Sequence, residues 1–209
     1  MSLFPIFLKL DGRQCLVVGA GEIAESKIKS LLAADARVTV VAPKAKPALI
    51  ALADAGQFTW HRREFAPDDL NGAFLVVAAT NDSDVNAVVY REAQLRNVIC
   101  NAVDDPPNCD FYFPSVVKRG DLQIAISTAG ESPALAQQLR ADIDAQLPED
   151  LGPWLKSLGE LRREVLETMP AGEARKLLLH ELARRSVCEL EECPSRKLVR
   201  DVAVSDVRR

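Results

Sequence analysis

The sequence predicts an α/β protein: a parallel sheet covered by helices, followed by a hairpin and further helices. Three observations carry this. Cys15-Leu16-Val17-Val18-Gly19-Ala20-Gly21-Glu22-Ile23-Ala24-Glu25 runs from a short apolar segment through Gly-x-Gly directly into a helical pattern. Apolar segments and helical patterns then alternate as far as residue 103, as parallel strands and their crossover helices do. The alternation stops at Asp105-Pro106-Pro107-Asn108, which cannot continue a helix or a central strand.

Taken in order, residues 14–18 form the first strand and 22–34 its helix. Arg37-Val38-Thr39-Val40-Val41 is the second strand, ended by Pro43, and residues 45–55 read as helix. Phe58-Thr59-Trp60 is a short strand. Residues 74–79 are continuously apolar, as a strand buried on both faces requires. A helix over 83–96 follows, with Asp82 or Ser83 able to cap it, and then a strand over 98–103. Phe111 to Val117 and Leu122 to Ser127 read as two strands joined by the turn Lys118-Arg119-Gly120-Asp121. Ser132-Pro133 is a helix start, with Ser as N-cap and Pro at the first position. Leu135, Leu139, Ile143 and Leu147 give that helix an apolar stripe, expected to face a core or a subunit interface. Helices over 153–168 and 171–185 complete the chain before a mixed-charge tail.

Composition narrows the function classes. The 209 residues are 48% hydrophobic and 27% charged, an ordinary globular balance. A net charge of −4 argues against nucleic-acid binding through bulk electrostatics. No apolar run approaches the roughly 20 residues of a membrane span, and no signal peptide is apparent at the N-terminus. The expected compartment is the cytoplasm. Cys15 and Cys100 sit within strand-like runs as small core residues. Cys188 and Cys193 lack the partners of a zinc site, and the two histidines join no cluster, so no bound metal is expected.

The Gly-x-Gly turn leaves helix N-terminal N–H groups free, where a pyrophosphate can sit without any basic side chain. Ligands in such a sheet lie beyond the carboxyl ends of the strands, which selects four loops: 19–23, 42–44, 80–82 and 101–105. An acid about 20 residues after the glycines usually binds the ribose hydroxyls. None lies between Asp35 and Asp54, and Ala42-Pro43-Lys44 stands there instead, so these residues alone leave NAD and NADP both open. Asn81 and Asp82 read equally as caps or ligand contacts. Asp104 directly follows a strand, where a carboxylate can act as general base or simply open a turn. Ser127-Thr128-Ala129-Gly130-Glu131-Ser132-Pro133 leads hydroxyls into a helix N-terminus, either an anion site or a capped turn.

Together these pieces resemble the precorrin-2 dehydrogenase/sirohydrochlorin ferrochelatase family of siroheme biosynthesis. The resemblance rests on Leu3-Phe4-Pro5-Ile6-Phe7, Val17 to Lys27, Ala78-Ala79-Thr80-Asn81-Asp82, Asn101-Ala102-Val103-Asp104, Phe111-Tyr112-Phe113-Pro114-Ser115 and Ser127 to Pro133, in that order over about residues 1–185. It implies a Rossmann-like NAD-binding domain over 1–110, a dimerisation hairpin plus helix over 111–147, and a helical C-terminal domain with an irregular tail over 148–209. It further implies a homodimer with its active site between domains, and NAD-dependent oxidation of precorrin-2 to sirohydrochlorin. Bifunctional members also insert Fe(II). In the family's pattern Glu22-Ile23 and Pro43-Lys44 match NAD contacts and Asp104 the proposed base. Gly19, Gly21, Thr80, Asn81 and Asn101 complete the expected cofactor set. Ser127, Thr128, Gly130, Ser132 and Arg119 are expected on the substrate carboxylates, with Lys118 and Arg140 as further cations. A stand-alone form is expected, since 209 residues leave no room for the methyltransferase domain of some relatives. The competing class is a dinucleotide-sensing module without chemistry, which would need only the first ~110 residues of the site.

Overall fold

The computed structural model describes residues 3–184; Cys188, Cys193 and the tail lie outside them. The chain divides into two compact units, Met1–Phe113 and Pro114–Arg209.

The first unit is built on five parallel strands, β1 (Gln14–Val18), β2 (Arg37–Val41), β3 (Thr59–His61), β4 (Leu75–Ala78) and β5 (Ile99–Ala102), in the order β3-β2-β1-β4-β5. Helices α1 (Glu22–Leu32), α2 (Pro47–Asp54) and α3 (Ser83–Leu95) make the crossovers. Side chains alternate between two cores, as the period of two along a strand requires. Cys15 and Val17 of β1, Val38 and Val40 of β2, and Leu75 and Val77 of β4 pack with α1 and α2. Leu16, Val18, Val76 and Ala78 face the other way, onto Val89 and Ala93 of α3. Burial on both faces explains why these strands read as largely apolar, unbroken in β4. Burial also pushes the Cys15 thiol up to about 11 and the Cys100 thiol up to about 12.

The free edge of β5 is closed by the chain itself. Asp110 N–H donates to Cys100 O at 2.8 Å, and Asp110 Oδ2 accepts from Cys100 N at 2.9 Å and from Gln94 Nε2 at 2.7 Å. Covering an edge in this way removes a template for unwanted strand pairing. It also corrects the expectation of a strand from Phe111. Phe111 and Phe113 instead pack against the sheet core, with ring centroids 5.4 Å apart, and Pro114 has no N–H to extend a ladder.

In the second unit β6 (Ser115–Arg119) and β7 (Leu122–Ile126) form an antiparallel hairpin. Lys118 and Arg119 belong to its ladder, paired with Gln123 and Leu122, so the turn is Gly120-Asp121 and not the expected four residues. Helices α4 (Pro133–Gln146), α5 (Leu151–Thr168) and α6 (Glu173–Leu182) follow. Ser132 caps α4, its Oγ accepting from Leu135 N at 3.2 Å. The apolar stripe of α4 begins outside any core of this unit: Leu135 is 51% and Leu139 39% exposed, whereas Ala136 is buried. The other helices start and stop within a few residues of expectation. Among the described residues no helix is long and apolar enough to cross a membrane.

Candidate functional site

Two adjacent clefts open at the carboxyl end of the sheet, sharing Gly21, Ala79, Thr80 and Asn81 as walls. The larger, about 900 Å³, is lined by the glycine loop, by Ala42, Pro43, Lys44 and Lys46 after β2, and by Glu64 and Phe65 after β3. The smaller, about 510 Å³, is lined by Glu22, Ile23, Asn86, Val103, Asp104 and Asp105 among others. They meet between β1 and β4, where successive crossovers leave the sheet in opposite directions.

Each glycine of the loop has its own reason. Gly19 stands at φ +107°, and a Cβ there would lie 2.3 Å from the carbonyl oxygen of Ala79. It lets β1 turn away beside the end of β4. Gly21 has an ordinary φ of −86°, and a Cβ there would meet nothing within 4 Å. It faces the open cleft at the N-terminus of α1, which has no side-chain cap. Unfilled space over uncapped N–H groups fits a pyrophosphate.

The loop after β4 is held by a residue that sequence reasoning missed. Asn86, buried on α3, accepts from Thr80 N at 3.2 Å and Thr80 Oγ1 at 2.7 Å, and donates to Thr80 O at 3.2 Å. Its one signal was a polar residue on the α3 face that also carries Val89 and Ala93. Asp82 caps α3, accepting from Asp84 N at 2.9 Å and Val85 N at 3.3 Å, while still lining the larger cleft. Capping α3 therefore leaves Asp82 on the cleft wall.

Lys46 was also missed. It ties the loop after β2 to α1 through Glu22, and through Glu25 at 2.8 Å. Hydrogen bonding from Lys29 and then from Lys46 holds the Glu25 carboxyl down at about 2. A depressed carboxyl stabilises the fold above its unfolded value of about 4.3, and that contribution is lost as pH falls toward 2. Glu25→Gln is expected to make unfolding free energy less steep between pH 5 and pH 2. Denaturant titrations at low salt check this, and the difference should shrink in high salt because these groups are solvated.

Asp104 sits just beyond β5 in the left-handed region, at φ +60°, with its side chain exposed on the smaller cleft. The turn around it is built by its neighbours. Asp105 N donates to Ala102 O at 3.2 Å, Asp105 Oδ2 accepts from Asn108 Nδ2 at 2.6 Å, and Cys109 Sγ lies 3.0 Å from Ala102 O. Lys27 of α1 is half-buried with its ammonium 4.0 Å from the Phe113 ring centroid. Burial pushes the Lys27 ammonium down, and the charge of Asp104 partly offsets this.

Not every expected site residue faces a cleft. Asn101 is buried, and its Nδ2 donates to Phe111 O at 2.8 Å, so it fastens the segment that closes β5. Arg119 is engaged by Asp144, with Nη1 2.6 Å from Oδ1 and Nη2 2.9 Å from the backbone oxygen. Arg140 lies 3.7 Å from the same carboxylate. The hydroxyls of Thr128 and Ser127 accept from Ser132 N at 3.2 Å and Ala129 N at 3.1 Å, folding the loop on itself. Ala129 and Gly130 are both left-handed there, at φ +52° and +88°. Among the described residues no three His, Cys, Asp or Glu side chains converge as a metal site.

Residues 6–115 match an NAD(P)-binding family, and residues 119–146 match the central region of sirohaem biosynthesis proteins. Siroheme synthase 3 of Aeromonas hydrophila subsp. hydrophila is 46% identical over 165 residues, covering 79% of this chain and 35% of the relative. Siroheme synthase 1 of Serratia proteamaculans is 43% identical over 177 residues, covering 84% and 37%. The chain thus spans little more than a third of the length of these curated relatives. The solved structure of SirC, a precorrin-2 dehydrogenase, is 28% identical and superposes with a TM-score of 0.75, covering 97% of this chain and 100% of that one. The match over the first unit and the shared fold support NAD as the cofactor. With the glycine loop, the Asp104 turn and the Ser127–Ser132 loop all in the matched regions, the chain belongs to the precorrin-2 dehydrogenase/sirohydrochlorin ferrochelatase family of siroheme biosynthesis.

Proposed function

We propose that this chain oxidises precorrin-2 to sirohydrochlorin with NAD. The observation that carries the reading is a carboxylate, Asp104, on a cleft that shares Gly21, Thr80 and Asn81 with the dinucleotide cleft. Bound NAD supplies a hydride acceptor, and the reaction removes one hydride and one proton from the substrate. The chain has to take the proton. Asp104 is the base for it: an exposed carboxylate on the smaller cleft that, among the described residues, makes no hydrogen bond a substrate would have to break. Lys27 places a positive charge near that carboxylate. The uncapped N-terminus of α1 and the Gly21 opening seat the pyrophosphate. Glu22, Ile23, Pro43, Lys44, Thr80 and Asn81 form the walls around it.

In the second unit, the loop Ser127, Thr128, Gly130 and Ser132 is our candidate for a substrate carboxylate. Its hydroxyl oxygens accept from the loop backbone, which leaves each O–H free to donate. The exposed Leu135, Leu139 and Val116 support a homodimer formed through this unit. Fe(II) enters the proposal as a second substrate, since inserting it displaces two pyrrole protons and Asp104 is a base for that step too. This ferrochelatase activity and a cytoplasmic site of action complete the reading.

The test is to mix purified protein, precorrin-2 and NAD and follow the tetrapyrrole spectrum. Conversion to sirohydrochlorin is expected. Tight NAD binding with no product at any enzyme level would overturn the dehydrogenase and favour a dinucleotide sensor. Adding Fe(II) to sirohydrochlorin in a separate cuvette tests chelation alone.

A further inference from the structure

We infer that Glu64 is the carboxylate that receives the adenosine-ribose hydroxyls of NAD and keeps out a 2′-phosphate. This rests on reading the larger cleft as the NAD site. Sheets of this kind usually carry that acid at the end of β2, about 20 residues after the glycines. Here β2 runs out into Ala42-Pro43-Lys44, which offers the cleft a cation and no carboxylate.

The next strand supplies one. β3 pairs with β2 in the register Val41↔His61, and Ala42 N donates to His61 O at 3.2 Å. Trp60 Nε1 donates to Ala42 O at 3.0 Å. The chain leaving β3 therefore departs beside the chain leaving β2, and Glu64 is three residues beyond His61.

The segment carrying Glu64 is built, not merely present. Arg63 grips Asp69 with two nitrogens, at 2.8 and 2.5 Å, and its Nη1 also donates to Glu64 O at 2.9 Å. Asp69 Oδ2 accepts in turn from Ala66 N at 2.8 Å. Phe65 packs against the core beneath α3. Both neighbouring arginines are thus committed elsewhere: Arg63 to Asp69, and Arg62 over the Trp60 ring at 4.6 Å from its centroid. Among the described residues no cation or donor pairs with the Glu64 carboxylate, which lines the cleft together with Ala42, Pro43 and Lys44. Lys46, the other nearby cation, is occupied by Glu22 and Glu25.

A free carboxylate accepts hydrogen bonds from a ribose diol and repels a phosphate dianion. Lys44 alone would favour the phosphate; Glu64 reverses the preference.

The experiment is calorimetric titration of the full chain, wild type, Glu64→Gln and Glu64→Ala, with NAD, NADP and nicotinamide hypoxanthine dinucleotide. Circular dichroism melts confirm folding of each variant. Wild type is expected to prefer NAD. Glu64→Gln should lose about tenfold or more in NAD affinity, as for a hydrogen bond to a charged group, while NADP holds or gains. The hypoxanthine analogue should track NAD throughout. An unchanged NAD-to-NADP ratio in both variants, with tight NAD binding retained, overturns the Glu64 assignment and leaves the cofactor reading standing. So does a wild type that discriminates NAD from its hypoxanthine analogue through Glu64, because the carboxylate would then read the adenine. A wild type that binds no dinucleotide overturns both.

Discussion

Asp104→Asn is expected to lower the rate of precorrin-2 oxidation by about 10²–10⁴-fold, the range a positioned general base supplies, while NAD affinity stays as it was. The variant isolates charge from structure for two reasons. Asp104 occupies the left-handed region at φ +60°, which Asn enters as readily as Asp, so the turn survives. The hydrogen bonds that build the turn belong to Asp105, Asn108 and Cys109, so none depends on the Asp104 carboxylate. Alanine would be a poorer probe, because it adds backbone strain to the loss of the base. Turnover followed by tetrapyrrole absorbance, beside calorimetric NAD titration, reads both halves of the expectation. A variant with full activity removes Asp104 as the base. A variant that has also lost NAD affinity shows that the carboxylate supports the cofactor cleft instead.

The two glycines of the loop are expected to fail in opposite ways. Gly19→Ala places a Cβ 2.3 Å from the Ala79 carbonyl oxygen, in a backbone conformation that L side chains rarely adopt. The obstacle is backbone just beyond the central strand β4, so no side chain can swing aside. A loss of about 3–5 kcal/mol is expected, which lowers the melting temperature by roughly 6–20 °C. Gly21→Ala meets nothing within 4 Å and has an ordinary φ, so melting should barely change. Its methyl group instead occupies the space above the α1 N-terminus, and NAD affinity should fall at least ~10-fold. Melting curves and NAD titrations on the pair separate a fold glycine from a ligand glycine. Equal effects on stability would contradict the geometry.

The parts of this molecule that were legible in its sequence are those set by local pattern. β1, β2 and β4 are largely apolar because both of their faces are buried, and that leaves a run no matter what surrounds it. The Asp104 turn was legible because it follows a strand in a sheet whose ligand end is dictated by topology. Elsewhere tertiary contacts decided. Phe111-Tyr112-Phe113 has every local mark of a strand, yet burying two aromatic rings on the sheet outweighs a ladder that Pro114 could not extend. Asn101 looks like a ligand contact from its position after β5, but the segment docking against that edge claims its side chain. Asn86, Lys46 and Glu64 carry no motif. Their roles depend on which loop each one meets, and only the folded chain shows that.

The closure of β5 has a consequence for when the site exists. Asp104 lies on the short connection between β5 and Asp110, whose backbone and carboxylate bond to Cys100. Detaching that segment exposes a strand edge and releases the turn in one event. Competence of the proposed base and solvent protection of the Cys100 amide are therefore expected to be two readings of a single local opening equilibrium. Inactivation by heat or mild denaturant should begin with that opening, ahead of the melting of the sheet, and amide exchange at this one strand would mark its onset.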